Sequence, residues 1–251
     1  DLNDSMQGSY LGPEYSQNDI EEHLDKAGAK YEIFNDQELL DRTATDLSKE
    51  EAVGWFQGRM EFGPRALGGR SILGDPRSEK MQKNLNIKVK YRESFRPFAP
   101  SVLKEDLTEW FDINIDSPYM LMVSNINKKK IIEMTEDQKN LFGIEKLNIK
   151  RSQIPAVTHV DYSARIQTVH KETNEKYFRL IEKFKEKTNC PILVNTSFNV
   201  RGEPIVNTPQ DAFNCFMGTD LDKLVIGNCY LDKKNQNHSL KKNYSTQFEL
   251  D

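Results

Sequence analysis

Apolar residues recur along this chain at two periods, and the switches between them lay out alternating helices and strands. Ile20, Leu24 and Ala27 fall on one helical face behind Ser16, which predicts a helix capped by the Ser16 hydroxyl and stopped at Gly28. Tyr31 to Phe34 is too short for a helix and reads as a strand, and a second helix follows near 36–47 with Leu39 and Leu40 turned inward. Ala52 to Phe56 reads as a buried strand. Ser78 is the expected cap of a helix whose Met81, Leu85 and Val89 stand four apart. Phe98 to Leu103 has the look of a buried strand, Lys104 to Phe111 of a helix, and Tyr119 to Val123 of another strand. Ala156–Asp161 and Ala164–Val169 alternate polar and apolar positions, as a half-buried strand pair would. Tyr177, Leu180, Ile181 and Phe184 make one face of a helix that must end before Pro191, where the strand Pro191–Val194 begins. Thr208 and Pro209 open a last helix that Gly218 closes, and Leu224–Ile226 with Cys229–Leu231 give a final strand pair.

Three stretches lack periodicity. Residues 1–16 are polar, with Gly8, Gly12 and Pro13, and read as a linker or the tail of a preceding domain. Residues 127–151 are strongly charged, with Lys128, Lys129 and Lys130 near the front, and read as a surface excursion. The polar residues 232–251 read as a frayed tail. That leaves 17–231 as the folded domain, and the missing initiator Met predicts a piece of a longer protein.

Composition narrows the function. At 251 residues the chain can bury a full core without staples. Lys plus Arg number 35 against 39 Asp plus Glu, a net charge of -4, so nothing draws the whole chain to nucleic acid or to an anionic membrane. Any anion site must be local. No apolar run approaches a membrane span. Cys190, Cys215 and Cys229 are an odd number without metal-ligand spacing, which suits buried thiols in a reducing, cytoplasmic compartment.

Candidate chemistry concentrates in three places. The run KVKYRESFRPFAPS, Lys88 to Ser101, holds four cations, three rings and two prolines. On an extended strand Lys90 and Arg92 would share a face as an anion clamp, or as a solvated basic edge that discourages aggregation. Gly58 to Ser71 reads as a glycine-rich loop whose Arg65 and Arg70 suit phosphate or carboxylate, unless they pair with acids such as Glu61 and Asp75. Neither the Walker nor the Rossmann glycine pattern is present. Asn195 to Pro204 puts amides and hydroxyls at a strand's carboxyl end, where open α/β sheets bind ligands, or else forms a self-capped turn. Arg165 stands out inside an otherwise neutral strand, and His159 with Asp161 reads as an internal hydrogen-bonded pair rather than a metal site.

The segments GRMEFGPRALGGRSILGDPR, NIKVKYRESFRPFAPSVL, THVDYSARIQTV and PILVNTSFNVRGEPIVNTPQDAF together resemble the carboxyl-terminal domain of the NodU/CmcH-type O-carbamoyltransferases, over about Ala52 to Leu231. The resemblance implies a YrdC-like α/β fold, an open twisted mixed sheet with flanking helices. It implies a Lys-x-Arg pair at Lys90 and Arg92 and a Ser-x-Asn pair at Ser197 and Asn199. It further implies that carbamoyl phosphate and ATP, with Mg2+ only as the nucleotide's companion and no metal held by this chain, give carbamoyl-adenylate. A missing amino-terminal domain of the same protein would pass the carbamoyl group to a hydroxyl acceptor. On that reading Lys90, Arg92, Arg165, Ser197 and Asn199 carry the chemistry, and Arg65, Arg70, Arg96 and Asn195 bind substrate. Lys90→Ala is then expected to remove carbamoyl-phosphate binding with little loss of stability. Two other readings stay open, a non-catalytic nucleotide or carbamoyl-phosphate binding module and an RNA-binding YrdC-like domain, the latter disfavoured by the acidic balance.

Overall fold

The computed structural model of the chain describes residues 4–143, 145, 149–241 and 244. Among them, nine strands form one open mixed sheet: β1 (Glu32–Ile33), β2 (Val53–Phe56), β3 (Arg70–Gly74), β4 (Ala99–Leu103), β5 (Met122–Asn125), β6 (Ser163–Val169), β7 (Ile192–Ser197), β8 (Lys223–Ile226) and β9 (Cys229–Asp232). Their order is β1-β9-β8-β2-β3-β7-β4-β6-β5. β2 runs parallel to β8 and β4 parallel to β6, and the other neighbours are antiparallel. The open mixed α/β sheet with flanking helices is the fold class expected from the sequence.

The four long helices follow their sequence signals. α1 (Gln17–Lys26) starts at a reciprocal capping box between Ser16 and Asp19, and Gly28 follows it with φ +70°. α2 (Asp36–Ser48) is capped by Asn35 and buries Leu39 and Leu40. α3 (Glu175–Thr188) buries Tyr177, Leu180, Ile181 and Phe184 and ends on Asn189 in the left-handed conformation, two residues before Pro191. α4 (Pro209–Gly218) starts at the Thr208–Asp211 capping box. α2 packs on α3 and α1 on α4. The central strands β2, β3 and β4 are buried at every position, as strands covered on both faces are.

Several expectations are corrected. Residues 70–74 are not the end of a loop but strand β3, held between β2 and β7, so Arg70 belongs to the sheet. The strand expected at Ala156–Asp161 is absent: Pro155, which has no N–H for a ladder, leads a single tight turn over Pro155–Val157. β6 instead pairs with β4 and β5, and β5 begins at Met122, three residues later than Tyr119. Ser78 does not cap a helix. The helical turn starts at Met81 with Lys80 in the cap position, and the Ser78 hydroxyl accepts only the Lys80 amide.

Lys90 and Arg92 do not lie on an extended strand. The turn Met81–Asn84 widens into a π turn over Leu85–Val89, Lys90 closes it with helical angles, and Tyr91 has φ +50°. The described residues beyond β9 are not frayed: the Lys233 ammonium donates to the carbonyls of Phe216 and Thr219, Leu240 packs on the core, and Tyr244 is buried. The remainder of the expected tail, and residues 144 and 146–148 of the charged excursion, lie outside the described residues. At the other end the Gly12 N–H donates to the Met60 carbonyl, the Met60 N–H donates to the Pro13 carbonyl, and the Tyr10 hydroxyl donates to the Leu67 carbonyl. Among the described residues no helix is long and apolar enough to cross a membrane.

Candidate functional site

The sheet's order explains why residues distant in sequence meet. β7, β4 and β6 are adjacent, so the carboxyl end of β7 and the amino ends of β4 and β6 lie side by side. A pocket of about 170 Å³ opens there, lined by Pro64, Arg65, Ala66, Arg92, Pro97, Phe98, Ala99, Met120, Arg165, Asn195, Thr196 and Ser197. Among the described residues, three guanidinium groups and no carboxylate line it. A larger recess of about 510 Å³ at the β1–β9 edge carries Lys30, Glu32 and Asp232 with two tyrosines.

Each arginine arrives by a different device. Arg65 rides the loop between β2 and β3, and the buried Glu61 carboxylate pins that loop by accepting the backbone N–H groups of Leu67, Gly69 and Arg70 at 2.7, 2.6 and 3.3 Å. Arg92 follows the π turn. Its Nε donates to Asn86 Oδ1 at 2.7 Å and its guanidinium stands 5.0 Å from the Phe98 ring centre. Arg165 stands on β6 opposite Val123 of β5, and its buried Nε meets no acceptor among the described residues. Burial lowers the Arg92 pKa to about 10, with the Arg96 charge adding to it, and lowers that of Arg165, with Arg65 adding. Both groups stay cationic near neutrality, which is what an oxyanion site requires.

Lys90 takes another place. It is 4% exposed, and its ammonium donates to the carbonyls of Ser197 and Asn199, to Ser197 Oγ at 3.2 Å and to Asn199 Oδ1 at 2.8 Å. Ser197 Oγ in turn donates to Asn199 Oδ1 at 2.7 Å, and Asn199 Nδ2 donates to the Glu203 carbonyl. Lys90 therefore lies behind the pocket and fixes Ser197, which lines it. Burial lowers the Lys90 pKa to about 7, and the Arg92 charge pushes the same way. A buried side chain with four acceptors is tied to stability, so the expectation that its removal leaves stability intact does not fit its surroundings.

Two other candidates sit away from the pocket. The Arg70 side chain is wholly buried, its guanidinium 3.5 Å from the Phe56 ring centre and donating to the carbonyls of Pro13, Gln57, Gly58 and Gly69. Its partners are thus backbone oxygens, not the acids the sequence offered, and Asp75 pairs with Arg77. Arg96 is exposed, 3.7 Å from Glu93. In the turn at His159–Tyr162 the Asp161 carboxylate accepts from the Ser163 amide and hydroxyl, which hold it below its usual range. Among the described residues no cluster of three or more His, Cys, Asp or Glu side chains is placed to hold a metal.

The sequence singles out neither Asn86 nor Gln167, offers Glu61 only as an ion-pair partner for the arginines, and gives Ser101 only as the end of the basic run. Asn195 Nδ2 donates to Ala66 O, Ser101 Oγ and Gln167 Oε1 at 3.1, 3.0 and 2.9 Å, so these residues hold the amide of Asn195, which lines the pocket. The alternation that marked Arg165 also places Gln167 on the same face of β6, and that signal was readable.

A family model described as carbamoyltransferase C-terminus matches residues 44–233. An uncharacterized protein of Synechocystis is 54% identical over 251 residues, 99% of this chain and 41% of the relative. Nodulation protein NolNO of Sinorhizobium fredii is 43% identical over 230 residues, 91% of this chain and 31% of the relative. A 3'-hydroxymethylcephem-O-carbamoyltransferase of Amycolatopsis lactamdurans is 32% identical over 193 residues, 77% of this chain and 33% of the relative. The chain thus spans well under half the length of these relatives. With most of its length covered by that model, the chain belongs to the carbamoyltransferase C-terminus family.

Proposed function

We propose that this domain binds carbamoyl phosphate and ATP in the pocket of Arg65, Arg92 and Arg165 and forms carbamoyl-adenylate, which a preceding domain outside this chain passes to a hydroxyl acceptor. The observation that carries this reading is the convergence of three guanidinium groups with no carboxylate among them, beside the strand-end amide and hydroxyl groups of Asn195 and Ser197. Such a lining suits a ligand with several phosphate oxygens and repels cations. Membership of the family, and relatives that include one named for O-carbamoyl transfer, support the carbamoyl donor.

In this scheme water releases carbamate and inorganic phosphate from carbamoyl phosphate. A carbamate oxygen then attacks the α-phosphorus of ATP, forming the mixed anhydride as the bond to pyrophosphate breaks. Such transfer needs positioning and charge neutralisation more than a covalent nucleophile. Arg65, Arg92 and Arg165 supply the charge, and Lys90 acts as a positioning residue through Ser197 and Asn199. With no carboxylate in the lining, magnesium enters on the phosphates of ATP.

Titration calorimetry of carbamoyl phosphate and of ATP into the chain, with Arg165→Met as control, tests the reading. One lost charge-assisted hydrogen bond is worth about 1.5–3 kcal/mol, so affinity in the variant drops roughly tenfold to a hundredfold. Unchanged affinity in the variant, or no binding by folded protein, refutes it. Pyrophosphate release on mixing both substrates separates catalysis from simple retention of the ligands.

A further inference from the structure

Asn195 carries information that the arginines do not. Its side-chain orientation is fixed by its partners, because the Ala66 carbonyl can only accept, so Nδ2 must face Ala66, Ser101 and Gln167. Oδ1 is then the remaining atom. It is buried, the residue is 1% exposed, and Oδ1 meets no donor among the described residues. A buried acceptor left without a donor is costly, which makes it informative when it belongs to a residue that lines a pocket.

Its counterpart stands across the pocket. Asn195 on β7 pairs with Ala99 on β4, and the parallel register that matches Ser101 with Gln167 puts Ala99 level with Arg165 on β6. Asn195, Ala99 and Arg165 thus form one row over three adjacent strands, and all three line the pocket. Two strand spacings, about 10 Å, separate the outer backbones, and the short Ala99 side chain leaves the space between them open. Arg165 Nε is the unpaired donor of this row, as Asn195 Oδ1 is its unpaired acceptor.

An acceptor and a donor facing each other along one row do not match a phosphate or a carboxylate alone, whose oxygens the Asn195 carbonyl would repel. They match a primary amide, which offers N–H groups and a carbonyl oxygen together. Resting on the reading proposed above, we propose that Asn195 Oδ1 is the specificity determinant for the carbamoyl group. It accepts a hydrogen bond from the carbamoyl NH2 while Arg165 Nε donates to the carbamoyl oxygen, so that the site rejects acyl phosphates lacking the N–H.

Acetyl phosphate tests this, because a methyl group replaces the amine at nearly constant size. A site built to hydrogen-bond a substrate N–H rejects the analogue without it strongly, because the acceptor stays unpaired. Competition calorimetry on the whole chain is expected to show carbamoyl phosphate binding at least about a hundredfold more tightly than acetyl phosphate. In Asn195→Ala the two affinities are expected to come within about tenfold, with acetyl phosphate little changed. Equal affinities in the wild-type chain overturn this inference and leave the proposed function standing, and that comparison needs no variant to fold. A wild-type preference that persists in folded Asn195→Ala assigns the discrimination to another group and overturns the role of Asn195. Failure of both acyl phosphates to bind removes the reading on which the inference rests, and the inference with it.

Discussion

Lys90→Met isolates the charge of one buried lysine while nearly preserving its volume. Burial lowers the Lys90 pKa from 10.5 to about 7 in the folded chain. Between about pH 7 and about pH 9 the unfolded chain keeps the proton that the folded chain releases, so stability rises with pH over this window. The slope approaches about 1.4 kcal/mol per pH unit, and the gain over the interval is about 2 kcal/mol. Methionine has no such contribution. It also leaves the carbonyls of Ser197 and Asn199 without this donor, at about 1–3 kcal/mol each, a cost that does not vary with pH. The variant should therefore trail the wild-type chain by about 2 kcal/mol more at about pH 9 than at about pH 7. Arg92, Cys215 and Glu203 face the same ammonium, and subtracting the variant's curve removes their own titrations. Urea unfolding followed by the fluorescence of the buried Trp55 and Trp110 gives both curves. Parallel curves across the window would refute the reasoning, because they would mean that the acceptor oxygens around Nζ hold its charge as firmly as water does.

Arg70→Met should cost at least about 3 kcal/mol in urea unfolding, since four carbonyls lose their donor at a fully buried site, and Arg70→Lys should recover little of it because a point charge cannot span them. A lysine variant as stable as the wild-type chain would show that charge alone suffices there. Gly68→Ala should lower the thermal midpoint sharply: Gly68 has φ +108°, and an added Cβ would lie 2.3 Å from the Tyr177 ring. An unchanged midpoint would mean that α3 can shift to make room.

What could be read from the sequence follows from how local each cause is. Ser16, Asn35 and Thr208 cap their helices through bonds spanning three residues, so a reading along the chain finds them. β3 escapes such a reading because Arg70 and Ser71 look like loop residues. They are buried because Arg70 reaches carbonyls at 13, 57 and 58 and because β2 and β7 close on either side, facts that live in the tertiary structure. Lys90, Arg92, Ser197 and Asn199 are singled out in the sequence through resemblance. Their geometry is not, since a π turn and a left-handed Tyr91 replace the expected strand and send Lys90 inward while Arg92 faces the pocket.

Counting donors separates the cations that hold this protein together from those left to hold a ligand. Lys90 has three N–H groups and four oxygens around them. It has nothing to offer an incoming phosphate. Arg70 spends its terminal nitrogens on backbone carbonyls, and although its Nε is unpaired, the group is fully buried, with its guanidinium over the Phe56 ring. Arg165 is the opposite case, half-buried at a pocket wall with an unpaired Nε and a like charge nearby. A fold that stations such a group beside Arg65 and Arg92, with no carboxylate in the lining, keeps a standing repulsion that an anion relieves. The same pocket contains Asn195 Oδ1, which an anion alone would aggravate. On the reading proposed above, a ligand that carries both phosphate oxygens and an N–H meets the two demands at once, and carbamoyl phosphate is a small molecule of that description.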